Sequence, residues 1–543
     1  MKADQLLDCI GEVKDEHVLD ADEPTKKKKA YLKWAALAAC FVVAVSIGAG
    51  ILRMLPIGGA SAGGAGHEEG SVFMSYAGPV FPLTLTEENA AISASRDVTL
   101  DFSPWEPVWV SNEEEAASRT DLTEEERRQV LDDYNEWYPE GGYYTYCDDI
   151  LVTDSYTLTN SSDEAQTVCV LYPFASSLGS LASLRPALTL NGAELEAKLH
   201  AGSYAGGFEG AWGSKNEAEG SVNLRQLRSW ESYAALLEDG TYLDRAMGGF
   251  PDFSDVPVTV YTLSDPWGPE EDNKAGIPNP SIRVMFDLDY SKTQVLSYGF
   301  NGGLWDEENG IMGKSFSIPQ KTESRYGESY YLLVIGDDIH DLTTQGYVTG
   351  GWDTTDTIDA GVTVTRTESD LETSLRMLAA LDERDWAVSE PESEEDFELY
   401  FGLLKEQLLS YGVLSSDPVE RYENGDFEGM HDVRGVARVF WLEAEITVPA
   451  NGSVTLVSSA RKEASFDYAC AGTENKGVKG FDLVTRLASS LTFTGQSAHL
   501  EDRGLIDIVR QNFGFDPENG ILDVTLDENT PHYYLEVKRK DEK

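Results

Sequence analysis

Nineteen consecutive residues without a charge, Trp34 to Leu52, constrain this chain more than any other feature. A helix of that length, rising about 1.5 Å per residue, spans the ~30 Å hydrocarbon core of a bilayer. Lys26, Lys27, Lys28, Lys29 and Lys33 precede the stretch, and only Arg53 follows closely. This asymmetry predicts a cytoplasmic N-terminus and an extracytoplasmic remainder, localised to the cell membrane by a single pass. A transmembrane helix is expected within 31–55, with 34–52 against the lipid bilayer. Ala60-Ser61-Ala62 offers an alternative, a cleaved export signal, although the apolar core and the leading segment are both longer than such signals use. Ala36, Cys40, Ala44 and Gly48 recur every fourth residue. Such a stripe of small residues would let two membrane helices approach as a homodimer.

Charge divides the chain at the same place. Residues 1–60 hold eight Lys/Arg and eight Asp/Glu, so the net −53 lies wholly beyond residue 60. A field of that sign repels phosphate backbones, and no nucleic-acid partner is expected. Cys147, Cys169 and Cys470 lie beyond the membrane segment, without a CxxC. They read as free or buried thiols, with a Cys147–Cys169 disulfide as the alternative.

Before the lysines, Leu6, Ile10 and Val13 fall at helical spacing with acidic residues around them. Residues 1–30 therefore read as an amphipathic tail, able to dock on a cytoplasmic protein partner as a helix in a groove. The stretch MKADQLLDCIGEVKDEHVLDAD, the lysine run and YLKWAALAACFVVAV together resemble the opening of single-pass extracytoplasmic proteins of clostridia-type Gram-positive bacteria. Some proteins with such openings are regarded as anti-sigma-factor-like regulators, so the resemblance implies a transmembrane regulator or envelope sensor as one reading. The zinc-binding pattern of one His with a CxxC pair is absent. Residues 150–175 and 439–468 also resemble extracytoplasmic β-rich domains of bacteria.

Residues 56–70 are rich in Gly and Ala and read as a flexible linker. A β-rich leading region, 71–149, contains a helix at 123–137, with Thr123 and Glu126 as its capping box. Two β-rich modules are expected at 150–341 and 342–543. In the first, ILVTDSYTLTN, QTVCVLY and PALTLNGAELEAKL read as strands, with Asn191-Gly192 as a hairpin turn, and Trp230–Glu238 as a short helix. In the second, Leu371–Leu381 and Phe397–Leu409 read as helices, with Ser369 and Ser393 as caps and Gly412 as a stop. VFWLEAEITV and SVTLVSS, joined by PANG, read as a hairpin. The fold class expected is mainly β with some α: one transmembrane helix plus extracytoplasmic tandem β-sandwich-like modules with inserted helices. Three blocks recur in order, Glu231–Leu237 with Glu398–Leu404, Asp306–Ile311 with Asp516–Ile521, and Tyr330–Val334 with Tyr533–Val537. They suggest that the modules arose by duplication.

Motifs for chemistry are sparse. Asp306, Glu308 and Asn309, and likewise Asp516, Glu518 and Asn519, are candidate oxygen ligands for Ca²⁺, although Asn-Gly more simply makes a tight turn. Asp337-Asp338-Ile339-His340-Asp341 is a polar cluster that reads as a solvated turn. Ser459 and Lys462 fit S-x-x-K without its partner motifs. There is no HExxH and no G-x-S-x-G. Trp105, Trp109, Trp137, Trp267, Trp305, Trp352 and Trp441 are core residues or, where exposed, a carbohydrate-binding platform. The reading these features favour is a membrane-anchored extracytoplasmic binding or scaffold protein of the bacterial cell envelope, with no catalysis inferred. An envelope hydrolase is an alternative, and it requires His340 or His499 to converge with carboxylates in one cleft.

Overall fold

The computed structural model describes residues 75–76, 78–119, 122–204, 246–269, 279–318, 329–386, 394–415, 427, 433–435, 438–467, 477–487 and 491–540. The expected tail, membrane helix, small-residue stripe, linker and the helix at 230–238 lie outside them. Among the described residues no helix is long and apolar enough to cross a membrane. The fold is mainly β, as expected.

Its backbone is a seven-stranded sheet, sheet I. The order is Asp523–Leu526, Thr492–Glu501, Ile92–Asp101, Ile150–Asn160, Ser453–Lys462, Ala187–Leu190 and Ala193–Glu194. Thr492–Glu501 runs parallel to Ile92–Asp101, and the other pairs are antiparallel. Strict alternation along the two central strands puts Ile92, Ala94, Val98 and Leu100 on one face, with Ile150, Val152, Tyr156 and Leu158 beside them. Two other sheets share that face. Sheet II consists of Lys198–Tyr204, Arg438–Val448, Gln166–Ser176 and Thr84–Leu85. Its Val170, Phe440, Leu442 and Ile446 pack on Ile92, Ala94, Tyr156 and Leu158. Sheet III consists of Ser75–Tyr76, Phe466–Asp467, Lys479–Val484, His532–Arg539 and Ile506–Gln511. Its Phe481, Leu483, Leu535 and Val537 pack on Val98, Leu100, Ile150 and Val152.

A second sandwich is made by sheet IV (Thr293–Tyr298, Ser329–Gly336, Pro257–Trp267, Gly361–Asp370) and sheet V (Gly302–Asp306, Ile311–Ser317, Ser281–Asp287, His340–Tyr347, Thr357–Ile358). Both faces of sheet IV are covered, which explains the unbroken apolar run Tyr330–Ile335. Leu332 and Val334 face sheet V, whereas Leu333 and Ile335 belong to the cluster formed with the helices Leu371–Trp386 and Glu394–Ser410. This sandwich lies in sequence between Lys198–Tyr204 and Arg438–Val448, which are neighbouring strands of sheet II.

Two sequence expectations change. First, Arg438–Val448 and Ser453–Lys462 are not a hairpin. The former pairs with Gln166–Ser176 and the latter with Ile150–Asn160, so each connection arches from one sheet to the other. Asn160 donates to Val448 O (3.2 Å) and Pro449 O (3.1 Å), tying the two arches together. Alternating burial is common to hairpins and arches, so the pattern could not separate them. Second, these pairings join 150–176 with 438–462 across the boundary expected at residue 341. The reading of Cys147 and Cys169 as free thiols holds, and they form no disulfide with each other.

Local signals fared better. Thr123 and Glu126 do form a capping box on the helix Glu124–Trp137. Asn191 and Gly192, both at positive φ, turn Ala187–Leu190 into Ala193–Glu194. Gly412, at φ 85°, closes the helix ending at Ser410. At Leu371–Trp386, however, Asp370 and not Ser369 receives the Thr373 N–H, at 2.7 Å.

Candidate functional site: an aromatic appendage

Between Trp105 and Ile150 the chain leaves the sheets. It forms a two-stranded ribbon, Val108–Ser111 with Gly142–Thr145, and two helices, Asn112–Ser118 and Glu124–Trp137. Among the described residues of 106–149 none belongs to the hydrophobic clusters of the sheets, and only Asn112, Ala116 and Gly142 are buried. The first helix starts with its own capping box, Ser111 and Glu114. That is the same S/T-x-x-E signal that revealed the second helix, and it was legible at 111–114. Inside, the buried Asn112 amide donates to Tyr138 O (3.0 Å) and Asn135 Oδ1 (2.9 Å), holding the end of the long helix.

The appendage is fastened at its base. The Arg539 guanidinium lies 4.8 Å from the Trp105 ring and 5.0 Å from the Tyr146 ring. It donates to Trp105 O, to Cys147 O (2.9 Å) and to Asp148 Oδ1 (3.3 Å). One side chain of the last strand thus grips both ends of the excursion. Arg461 to Asp149 (3.2 Å) and Lys479 to Asp148 (3.2 Å) add to this. Trp105 itself is buried and packs edge-on to Phe102.

The free surface is aromatic. Val108, Trp109, Trp137, Tyr138, Tyr144 and Tyr146 are all exposed, Trp137 at 65%. Trp109 and Tyr144 are cross-strand partners on one face of the ribbon, their rings edge-to-face at 5.0 Å. Trp109 lies against Gly142, where a Cβ would come within 2.7 Å of its ring. On the opposite face Tyr143 stacks on Tyr138 at 4.5 Å, and Tyr138 on Tyr134 at 6.1 Å. Desolvation and the neighbouring Glu115 push the Tyr143 hydroxyl above the usual tyrosine range. Such rings offer apolar faces and wet edges, which suits contact with a partner.

The other tryptophans divide between roles. Trp441 is buried like Trp105, and Trp267 and Trp305 are exposed singly. Trp352 lies 5.2 Å from the Arg283 guanidinium, which also stacks on Tyr347 at 3.8 Å.

The paired acidic motifs are matching turns. Asn309 donates to the Asp306 carboxylate (2.8 and 3.0 Å), and Asn519 to that of Asp516 (2.7 Å). Gly310 and Gly520 follow at φ 68° and 76°. Glu308 and Glu518 are exposed. The turns sit in different surroundings. The first closes a hairpin within sheet V, whereas the second leads from sheet III to sheet I. Among the described residues no three His, Cys, Asp or Glu side chains are grouped to hold a metal ion.

The histidines are likewise distributed. His340 begins a strand of sheet V, and His499 pairs with Asp523 (2.8 Å) on sheet I. The Asp338 of the polar cluster binds Tyr261 Oη (2.9 Å) and Arg366 (2.9 Å). Ser459 and Lys462, three apart on one strand, point to opposite faces. One cluster escaped the sequence because its members are far apart: His200 Nε2 lies 2.6 Å from Glu443, whose other oxygen accepts from Cys169 Sγ at 3.3 Å. Burial and then the Glu443 hydrogen bond push the Cys169 thiol up to about 11. The carboxylate, not the imidazole, adjoins the thiol, which is the reverse of an activated nucleophile.

Comparison with protein-family models, curated proteins and solved structures gives no match to this chain.

Proposed function

We propose that this is a membrane-anchored extracytoplasmic binding or scaffold protein of the bacterial cell envelope, with the appendage at 106–149 as its contact surface. The observation that carries the reading is the gathering of six exposed apolar and aromatic side chains on one excursion that contributes nothing to the cores. Solvation alone gives no reason to hold Trp and Tyr outward on a pinned ribbon. The uncharged segment at 34–52 and the Gly/Ala-rich stretch at 56–70 support an anchor with a tether.

Two measurements test this. Trypsin added to intact cells is expected to digest the region beyond residue 60 and to spare a tag at the N-terminus; protection of both ends would refute the topology. Full-length protein held in detergent micelles is expected to be retained on cell walls stripped of membrane by detergent, and the Trp109→Ala/Trp137→Ala variant to pass through. Equal retention would remove the appendage from the reading. The spacing of Leu6, Ile10 and Val13 favours a second reading, a regulator holding a cytoplasmic partner on residues 1–30. A tail peptide that captures no specific protein would eliminate it.

A further inference from the structure

The partner's chemistry is written in three features of the appendage. The first is charge. Residues 103–149 contain fourteen Asp and Glu against three Arg. Glu113, Glu115, Asp132, Asp133, Glu136 and Glu140 make no ion pair among the described residues. The second is the kind of apolar surface. Exposed Trp and Tyr faces attract ammonium and guanidinium groups, which approach a ring to within about 6 Å. On the long helix Asp133 stands one turn before Trp137, so a cation over that ring would also meet a carboxylate. The third is the backbone. Among the described residues the strands Val108–Ser111 and Gly142–Thr145 pair with each other and with no third strand, which leaves an edge unpaired on either side. An isolated two-stranded ribbon is marginal by itself and gains from a further strand.

We propose that the appendage binds a basic polypeptide segment, which adds as a strand to the ribbon and lays Lys or Arg side chains over Trp109 and Tyr144. Charge and rings would suit any cationic polymer. The open edge selects a polypeptide, because a glycan has no backbone amides to extend the ladder. Alternate side chains of an added strand fall on one face, so a Lys or Arg at every second position reaches the Trp109–Tyr144 face while the residues between point to the tyrosine stack. The acidic surround steers the segment in, and the rings and ladder hold it. This inference rests on the reading of the appendage as the contact surface.

The test uses full-length protein in detergent and three fluorescent probes: a twelve-residue peptide alternating Lys with Val or Thr, the same peptide N-methylated at every backbone amide, and a neutral N-acetylglucosamine hexamer. Anisotropy is expected to show binding of the Lys peptide and at least tenfold weaker binding to Trp109→Ala/Tyr144→Ala. The N-methylated peptide keeps its charge but cannot complete a ladder, and it too is expected to bind at least tenfold more weakly. It needs no variant to fold. Equal binding of both peptides, or binding that survives the double substitution, would reduce the interaction to bulk attraction and overturn the proposal. Binding of the hexamer but not the Lys peptide, lost in the double variant, would overturn the basic-peptide inference while leaving the contact surface intact. If no probe distinguishes wild type from the variant, inference and contact surface fall together.

Discussion

Arg96 and Asp154 meet as a two-pronged ion pair, Nε to Oδ1 and Nη2 to Oδ2 both at 2.9 Å, with neither side chain exposed. They occupy the inner face of sheet I between the residues that pack on sheet II and those that pack on sheet III. Further hydrogen bonds tie the pair to neighbouring segments. Arg96 donates to Phe81 O (3.1 Å), Val484 O (2.8 Å) and Gln496 Oε1 (3.3 Å). Asp154 accepts from Tyr156 Oη (2.7 Å) and Tyr172 Oη (3.4 Å). Burial and the adjacent carboxylate push both phenols well above the usual tyrosine range, so both stay protonated donors. The pair is a polar rivet where three sheets converge.

Removing one member leaves the other charged and buried. Asp154→Asn is expected to cost about 3–5 kcal/mol, because the guanidinium loses its counter-charge without gaining water. Arg96→Met/Asp154→Leu is expected to cost less than Asp154→Asn alone, since no orphaned charge remains. Urea unfolding of the three proteins decides this. A double variant less stable than Asp154→Asn would show that an orphaned charge is not the main cost.

Acid should weaken the fold in a defined window. Lys292, and then Ser291, hold the Asp289 carboxyl down at about 2. Arg376 holds that of Glu398 below its ordinary value. Against the desolvation that would raise it, hydrogen bonds from Ser103 and Arg503 hold Asp101 low as well. A depressed carboxylate stabilises the fold above its unfolded value of about 4, and that contribution disappears as pH falls through the folded value. The urea midpoint is expected to drop between about pH 4 and pH 2, and less steeply in Asp289→Asn. A variant with the wild-type acid limb would show that Asp289 is not among the groups responsible.

Much of the fold could be read locally. Capping boxes, the Asn191-Gly192 turn and the alternation of Ile150–Asn160 all act within a few residues. What could not be read depends on which sheet a strand joins. Arg438–Val448 has the same inward residues whether it turns back as a hairpin or crosses the core as an arch. The site was half legible. The Trp109 and Trp137 rings could be named as exposed candidates, but their gathering depends on Trp105 and Ile150 being buried anchors on either side. The Cys169–Glu443–His200 cluster left no trace, because its central Glu443 lies 243 residues from His200 and 274 from Cys169.

That cluster predicts an inert thiol. With its pKa near 11, Cys169 carries a few hundredfold less thiolate at pH 8 than an ordinary cysteine of about 8.5. In a variant retaining only this cysteine, alkylation by iodoacetamide is expected to be slow at pH 8 and to rise steadily to about pH 11. Glu443→Gln removes the nearby charge and is expected to speed it at pH 8. An unchanged rate would assign the whole effect to burial.

The last prediction concerns how the appendage is held. Its residues share no hydrophobic cluster with the sheets, so its attachment rests on polar and ring contacts at the base. Arg539 supplies most of these, gripping Trp105 O on one side and Cys147 O on the other while its plane lies between two rings. Lysine cannot reproduce this, because a point charge neither forks to two carbonyls nor stacks. Arg539→Lys is therefore expected to loosen residues 106–149 while the sheets keep their stability. Amide exchange should accelerate at least tenfold across the ribbon and the long helix, with protection of sheet I unchanged. The global urea midpoint should move little, and limited proteolysis should cut first within 119–124, between the two helices. A uniform loss of protection across both sheets and appendage would instead make Arg539 part of the main core. Exchange that stays slow everywhere would leave Arg461 and Lys479 as sufficient anchors.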